Sequence, residues 1–439
     1  MKTEQQEEPE YEFAPAPVSF TAADNAAEDT VEMINNSHGY APATNTIAEA
    51  IEKDADLTIL DFTPQKVTIR FRIDGMWHPG YPLDRQNGDY MLAVFKQLAG
   101  LDYRERRKRQ SGTFGTEFRR EKQKFKIVSQ GSKTGERVGL YLSYKRPPLE
   151  KLEDLGIRNS MVPQIVDLMK MGEDGGTFLV SALPGEGYTT CWRAALESCD
   201  RLVQDFYVIE DINSQEPEVI NVSSETFDKS KGETALTPLP RLLLREPDVL
   251  AFPELTDGDL VDSLVQTAND KKLPVYLRHP GKNAIDSLLR VLALKPSRGP
   301  LLGSLTGVLC MRLVRKLCPE CRIEYRPNPE LLQKLGLPVG RIEKLYRPFI
   351  YKPGMIDEEE NEIEPCGNCC GIGYKGRTGI FELLKMNDQI REAAAAATNF
   401  NSLAAIAKAN GHISILQETA VVIAQGVTSV AELQRMLKE

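Results

Sequence analysis

No run of roughly 18 apolar residues occurs in this 439-residue chain, so nothing in it has the length of a membrane-spanning helix. The amino terminus, MKTEQQEEPEYEF, is acidic and lacks the basic-then-apolar order of a secretory leader, which sets the expectation of a cytosolic protein. Positive charge is in deficit. Fifty-four Lys and Arg face 63 Asp and Glu, a net charge of −9, which argues against a general nucleic-acid binder and leaves only a local basic patch open. Cysteine, at eight residues, is too sparse for a disulfide scaffold. Four of the eight fall in two C-x-x-C pairs, CPEC and CGNC, a pattern that in a reducing compartment points to metal or redox chemistry. There is no internal repeat.

What is present suffices for ordinary globular cores: apolar residues make up 41% of a chain long enough for two to four domains. Residues 1–40, rich in Glu, Ala, Pro and Asn, read as a disordered acidic tail. Residues 41–147 read as a small α+β domain. Within it KVTIRFRIDGMWHPG alternates apolar and polar residues and turns at Asp74-Gly75, a hairpin signal, and QKFKIVSQG and ERVGLYLSY form two more strands joined through SKTG. The linker KRPPLEKLEDLG follows. In residues 148–312 the strand-like runs TFLVSA, DFYVIED, DVLAFPE and LPVYLRH alternate with helical segments, the pattern of a mainly parallel sheet with crossover helices. Residues 313–384 form a cysteine-flanked insertion with an acidic middle, MIDEEENEIE. Residues 385–439 are helical, with Gly426 stopping the third helix and Thr428 or Ser429 capping the last.

A further absence lies in SALPGEGYTT, between the apolar run TFLV and the helix-like CWRAALESCD. A working phosphate loop reads G-x-x-x-x-G-K-[ST]: its glycines turn backbone N–H groups toward phosphate, its lysine reaches the outer phosphates, and its hydroxyl holds Mg²⁺. Here Gly187 keeps the second glycine, Gly185 survives inside the loop, and Thr189, followed by Thr190, keeps the hydroxyl. Ala182 replaces the first glycine and Tyr188 the lysine. A unit charge about 4 Å from its partner contributes about 4 kcal/mol at an effective dielectric near 20, so the loss should weaken ATP binding and transition-state stabilisation. Glu186 either adds negative charge beside the site or points to solvent. A tight turn between strand and helix is the competing reading.

Neighbouring strand ends favour a site. Glu254 follows the apolar run of DVLAFPE, Glu210 and Asp211 end YVIED, and His279 ends VYLRH. A carboxylate after an apolar strand can orient a water or Mg²⁺. Singly each is as well explained as a helix cap or a structural histidine. Four such ends on one sheet edge mark the place where ligands of open α/β sheets sit.

Cys318 and Cys321 form one cysteine knuckle, Cys366 and Cys369 the other, with residues 322–365 between them. Two knuckles complete a tetrahedral thiolate site, and the flanking glycines of CGIGYKG favour structural Zn²⁺ over a redox pair. Cys370 is an adjacent thiol able to replace Cys369. Cys191, Cys199 and Cys310 lie in helix-like apolar segments and read as core.

Taken together, these motifs resemble the secretion ATPase family that powers type II secretion and type IV pilus assembly. The resemblance runs from about residue 40 to the carboxyl terminus. It is carried by ADLTILDF, IRFRIDG, the basic segment LAGLDYRERRKRQSGTFG, EKLEDLGI, the degenerate phosphate loop, EPDVLAFPEL, the stretch MRLVRKLCPEC with CGNCCGIGYKGRTGIFELL, and NGHISILQETAVVIAQGVTSVAELQRML. It implies a PAS-like amino-terminal domain, a P-loop, RecA-like core, and a ring of six with ATP and Mg²⁺ between the lobes. The ring is either homo-hexameric or mixed with a paralogue, and it docks on an inner-membrane platform protein at the cytoplasmic face. Glu254 then matches the catalytic glutamate, Glu210 and Asp211 the acidic box near Mg²⁺, and His279 the histidine box. Departures cluster at the nucleotide site. The Ile-Arg-Asp that usually follows the glutamate is Leu255, Thr256 and Asp257, and the glycine before it is Pro253. The Thr-Asn-Asp after the histidine is Pro280, Gly281 and Lys282. In the basic segment Thr113 replaces an arginine and Ser111 an aspartate. This pattern suggests relaxed catalysis on a retained fold, or a pseudo-ATPase scaffold. The run Arg104, Arg106, Arg107, Lys108, Arg109 supplies charge near the nucleotide on the family reading and is a solvated segment on the plain one. No aromatic platform interleaves with it to suit nucleic acid.

Overall fold

The computed structural model describes residues 14–133, 135–143, 149, 151–171, 175–357, 360–396 and 399–438. The chain divides into two compact units, Met1–Pro147 and Pro148–Glu439. Most of the linker KRPPLE lies outside the described residues, as do residues 1–13.

The first unit contains β1 (Val18–Thr21), α1 (Thr30–Asn35), α2 (Tyr40–Glu52), β2 (Leu57–Phe62), β3 (Lys66–Ile73), β4 (Met76–Pro79), β5 (Leu83–Asp84), α3 (Arg85–Leu98), β6 (Gln110–Phe118), β7 (Glu121–Ser132) and β8 (Gly135–Ser143). Its antiparallel sheet runs β1-β6-β7-β8-β2-β3-β4, with β5 on β3. The period-2 pattern buries Val67, Ile69, Phe71 and Ile73 of β3 and exposes more of the residues between them. At the β3–β4 turn Asp74 and Gly75 both have positive φ, 50° and 83°, which suits a two-residue hairpin. Over residues 14–40 the expected disordered tail is corrected, its first 13 residues lying outside the described ones. Val18 and Phe20 alternate inward, pair with β6 and are buried, and Phe20 meets Phe114 edge-on at 6.2 Å. The apolar alternation of VSFT outweighs the polar flanks from which the tail was inferred.

The second unit contains α4 (Val162–Lys170), β9 (Gly176–Ala182), α5 (Tyr188–Glu197), β10 (Phe206–Asp211), β11 (Ser223–Phe227), α6 (Leu239–Leu243), β12 (Val249–Phe252), α7 (Gly258–Lys271), β13 (Pro274–Arg278), α8 (Ala284–Ala293), α9 (Arg298–Ser304), β14 (Leu305–Leu317), β15 (Ile323–Tyr325), α10 (Pro329–Leu335), β16 (Leu345–Arg347), β17 (Tyr374–Lys385), α11 (Asp388–Ala396), α12 (Phe400–Ala409), α13 (Ile415–Ala424) and α14 (Val430–Lys438). Its main sheet runs β11-β10-β12-β13-β9-β14-β17, parallel throughout except for the β14–β17 pair. Every residue of β9, β12 and β13 is buried, as expected of parallel strands covered on both faces. Leu179, Leu250, Val275 and Val308 face one apolar cluster with α7 and α8; Phe178, Val249, Tyr276 and Leu309 face another with α4 and α5.

Two expected boundaries are corrected. Residue 312 lies inside β14, a 13-residue strand, and residue 384 lies inside β17, the strand paired with it. The cysteine-flanked insertion is therefore residues 318–373, hung between two strands of the core sheet. Cys310 stands in β14 rather than in a helix. At the carboxyl end Gly426 has φ 74° and follows α13, and Ser429, not Thr428, accepts from the Glu432 amide at the start of α14.

Candidate functional site

Two glycines shape the loop between β9 and α5. The Glu186 amide donates to the Leu183 carbonyl at 2.9 Å, and Gly185 and Gly187 both have φ 83°. The positive φ is what favours glycine at 187; a Cβ there would also meet the mobile end of Met311, whose Cε lies 2.2 Å from its place. α5 starts at Tyr188, with Thr189 and Thr190 half-buried in its first turn. A turn of this kind points helix-start amides toward an incoming anion. Glu186 does not reach for solvent. Its carboxylate takes a two-pronged contact from Arg312 of β14, whose Nη2 donates at 3.0 Å and whose Nε also donates; the Arg312 side chain is 4% exposed. The loop's own negative charge is thus neutralised from the adjacent strand.

The strands end along one edge. Tyr188, Glu210, Asp211, Glu254 and His279 line a single cleft of about 410 Å³, together with Glu216, Pro253 and Arg278. Gly185, Glu186, Gly187, Thr189 and Thr190 are not in its described walls. Buried Glu210 accepts from the Glu216 amide at 2.9 Å and the Ser224 hydroxyl at 2.7 Å. Asp211 accepts from the Asn213 amide at 3.2 Å. Glu254 is exposed and paired with Lys229 at 2.5 Å. The His279 amide donates to Val180 at 3.2 Å, tying β13 to β9. Burial holds the His279 imidazole below the ordinary histidine range.

Tyr188 lies against Arg278, whose guanidinium carbon is 4.2 Å from the ring centroid. Burial pushes the Tyr188 phenol up to about 12 against the opposing pull of the Arg278 charge, so the ring is neutral at working pH. Arg278 is the feature that sequence inspection leaves without a role, along with Glu216, Lys229 and Arg312. The signal for it was a charged residue closing VYLR, a strand otherwise apolar and wholly buried.

The four knuckle cysteines form a second cluster. The sulfurs of Cys318, Cys321, Cys366 and Cys369 all lie within 4.8 Å of one another, with Cys318–Cys366 at 3.9 Å and Cys321–Cys369 at 3.6 Å. Zinc–sulfur bonds of about 2.3 Å in a tetrahedron place sulfurs about 3.8 Å apart, so the cluster fits that ion. The Gly373 amide donates to the Cys369 sulfur at 3.2 Å and the Asn368 amide group to the Cys318 sulfur at 3.4 Å, outer hydrogen bonds suited to thiolates. Cys370 is outside the four.

Comparison with known proteins follows the same lines. The family model described as Type II/IV secretion system protein matches residues 40–435. The chain is 30% identical over 395 residues to the type II secretion system protein E of Dickeya dadantii, covering 90% of this chain and 74% of that protein. It is 26% identical over 389 residues to the type IV pilus assembly ATPase PilB of Thermus thermophilus, covering 88% of this chain and 42% of that protein. Among solved structures, the ATPase DotB of Yersinia pseudotuberculosis superimposes with a TM-score of 0.55 at 12% identity, covering 95% of each chain. Among the described residues no helix is long and apolar enough to cross a membrane. The chain belongs to the type II/IV secretion system protein family and has its P-loop NTPase fold, with Tyr188 at the position where the phosphate-loop motif has lysine.

Proposed function

We propose that this chain is a motor subunit of a type II secretion or type IV pilus assembly system, binding ATP with Mg²⁺ in the cleft at the carboxyl edge of the second unit's sheet and hydrolysing it slowly. The observation that carries this reading is the convergence of Glu210, Asp211, Glu254 and His279 on the cleft beside the phosphate-type loop. Bound ATP would supply the phosphoryl group and Mg²⁺ the neutralising charge. The chain's own part is to receive phosphate on the amides of Gly185 to Thr189, offer the Thr189 hydroxyl to the cation, orient it with Glu210 and Asp211, and position water with Glu254 once that carboxylate leaves Lys229. Family resemblance favours a hexamer, pure or mixed with a paralogue, docked on an inner-membrane platform protein from the cytoplasmic side. The cysteine cluster is read as a structural Zn²⁺ site, with four protein ligands and no open position.

A second reading is favoured by the Lys229–Glu254 pair, which engages the candidate water-positioning carboxylate, and by Tyr188. On it the chain is a scaffold that keeps the fold and the ring contacts without turnover. An ATP·Mg²⁺ turnover assay with the Glu254→Gln variant separates the two. Slow hydrolysis that falls roughly a hundredfold or more in the variant, while binding persists, is expected for the motor. Turnover indistinguishable from background in both proteins leaves the scaffold.

A further inference from the structure

The cleft poses an electrostatic problem. Four of its lining residues, Glu210, Asp211, Glu216 and Glu254, are acids, and His279 is held toward its neutral form. A nucleotide polyphosphate adds several more negative charges. In an ordinary phosphate loop the lysine meets them, and here that position is the neutral ring of Tyr188. Among the lining residues Arg278 is the one that stays cationic.

Arg278 stands within reach of the place the lysine would serve. It pairs in register with Val180 of β9, one strand from the loop, and its guanidinium lies 4.2 Å from the Tyr188 centroid and 5.6 Å from that of Trp192. The residue is 6% exposed. Its Nε donates to the Pro253 carbonyl at 2.9 Å, and its Nη2 is paired with Glu216. Its Nη1 is buried and has no hydrogen-bond partner among the described residues. A charged donor left unmet in a buried place costs stability, and such a group is retained where a ligand meets it.

We propose that Arg278 is the phosphate-binding cation of this chain: a guanidinium from β13 in place of an ammonium from α5, stacked on Tyr188 and countered by Glu216 until phosphate displaces that carboxylate. This rests on the reading that the cleft takes a nucleotide. It gives Tyr188 a purpose, because the aromatic face supports the guanidinium, whereas a lysine there would set a second cation about 4 Å from it. A planar guanidinium presents paired N–H groups to phosphate oxygens, so the site should favour di- and triphosphates over monophosphates.

The test uses the full chain with its metal content checked, in a Trp77→Phe background that leaves Trp192 as the fluorescent reporter beside Arg278. ATP·Mg²⁺, ADP·Mg²⁺ and AMP are titrated into this parent protein, Arg278→Leu, Glu216→Gln, and Arg278→Leu combined with Tyr188→Lys. Arg278→Leu should weaken ATP binding about tenfold to a hundredfold and leave AMP binding nearly unchanged. Glu216→Gln, which releases the guanidinium, should tighten ATP several-fold, a sign that structural damage would not produce. The combined variant should regain most of the lost affinity. Equal ATP affinity in the parent and Arg278→Leu overturns the assignment of Arg278 while leaving the nucleotide reading intact, and so does weaker ATP binding by Glu216→Gln. A parent that takes up none of the three nucleotides overturns both.

Discussion

At the end of β13 two basic residues stand side by side, and burial acts on them differently. Arg278 meets burial with hydrogen-bond partners on its Nε and Nη2. His279 yields toward neutrality, chiefly through burial, with Arg290 pushing the same way against the Pro280 carbonyl and Asp286. Because its folded-state pKa lies below the ordinary histidine value of about 6.5, the unfolded chain binds more protons as pH falls. Folding stability is therefore unaffected by this group above that value and decreases as pH drops through it. Thermal unfolding at pH 7.5 and 5.5 should show a smaller acid loss in His279→Gln than in the parent. Equal losses would mean that the imidazole is no more buried from protons in the folded chain than in the unfolded one.

Elements differ in how plainly they were written in the sequence. β9, β12 and β13 were legible because parallel strands covered on both faces appear as unbroken apolar runs between helices of 3.6-residue period. β14 was not: LTGVLCMRLVRKL is a mostly apolar run interrupted by Arg312, Arg315 and Lys316 without a clear period of two, a pattern that periodicity cannot assign between a buried strand and a buried helix, and its antiparallel partner lies about 60 residues on, across the insertion. Glu210, Asp211 and Glu254 were legible as strand ends, whereas Glu216, in the loop after β10, was not. Arg278 against Tyr188 was not, because that contact depends on β13 lying beside β9, an adjacency no local pattern encodes. β14 also carries Arg315, which holds the fully buried Glu432 of α14 through its amide at 3.0 Å and its guanidinium at 2.8 Å, with Arg435 adding a further bond at 3.0 Å. Burial alone would raise the Glu432 pKa; the hydrogen bonds and charge of Arg315 outweigh it and hold the carboxyl below the ordinary glutamate range. That stabilisation is present above the unfolded-state pKa and is lost as pH falls through the folded one. Glu432→Gln leaves Arg315 charged and half-answered, so it should lower stability by roughly 3 kcal/mol, read as a lower urea midpoint at unchanged slope. A midpoint within error of the parent would show that α14 is held on β14 by its apolar face alone.

On the scale of the whole molecule the cysteine cluster would act as a clasp once an ion is bound. Cys318 follows directly on β14, and Cys366 and Cys369 precede β17, so one ion would join the far ends of the antiparallel pair that completes the core sheet. The clasped segment packs through Leu332 and Leu345 against Ile415, Ile423, Leu433 and Met436, making the carboxyl-terminal helices depend on it. Closing a loop of about 50 residues removes roughly 4 kcal/mol of unfolded-chain freedom, on the same reasoning as a cross-link. The first unit, with its own sheet and core, has no share in this. Calorimetry of the full chain should therefore show chelation lowering the second unit's transition by on the order of 10 °C while the first unit's is unmoved. Metal analysis should find one zinc per chain, and much less in Cys366→Ser. A Cys366→Ser chain with full metal content and an unshifted transition would place the ion elsewhere and leave the β14–β17 pair held by its ladder alone.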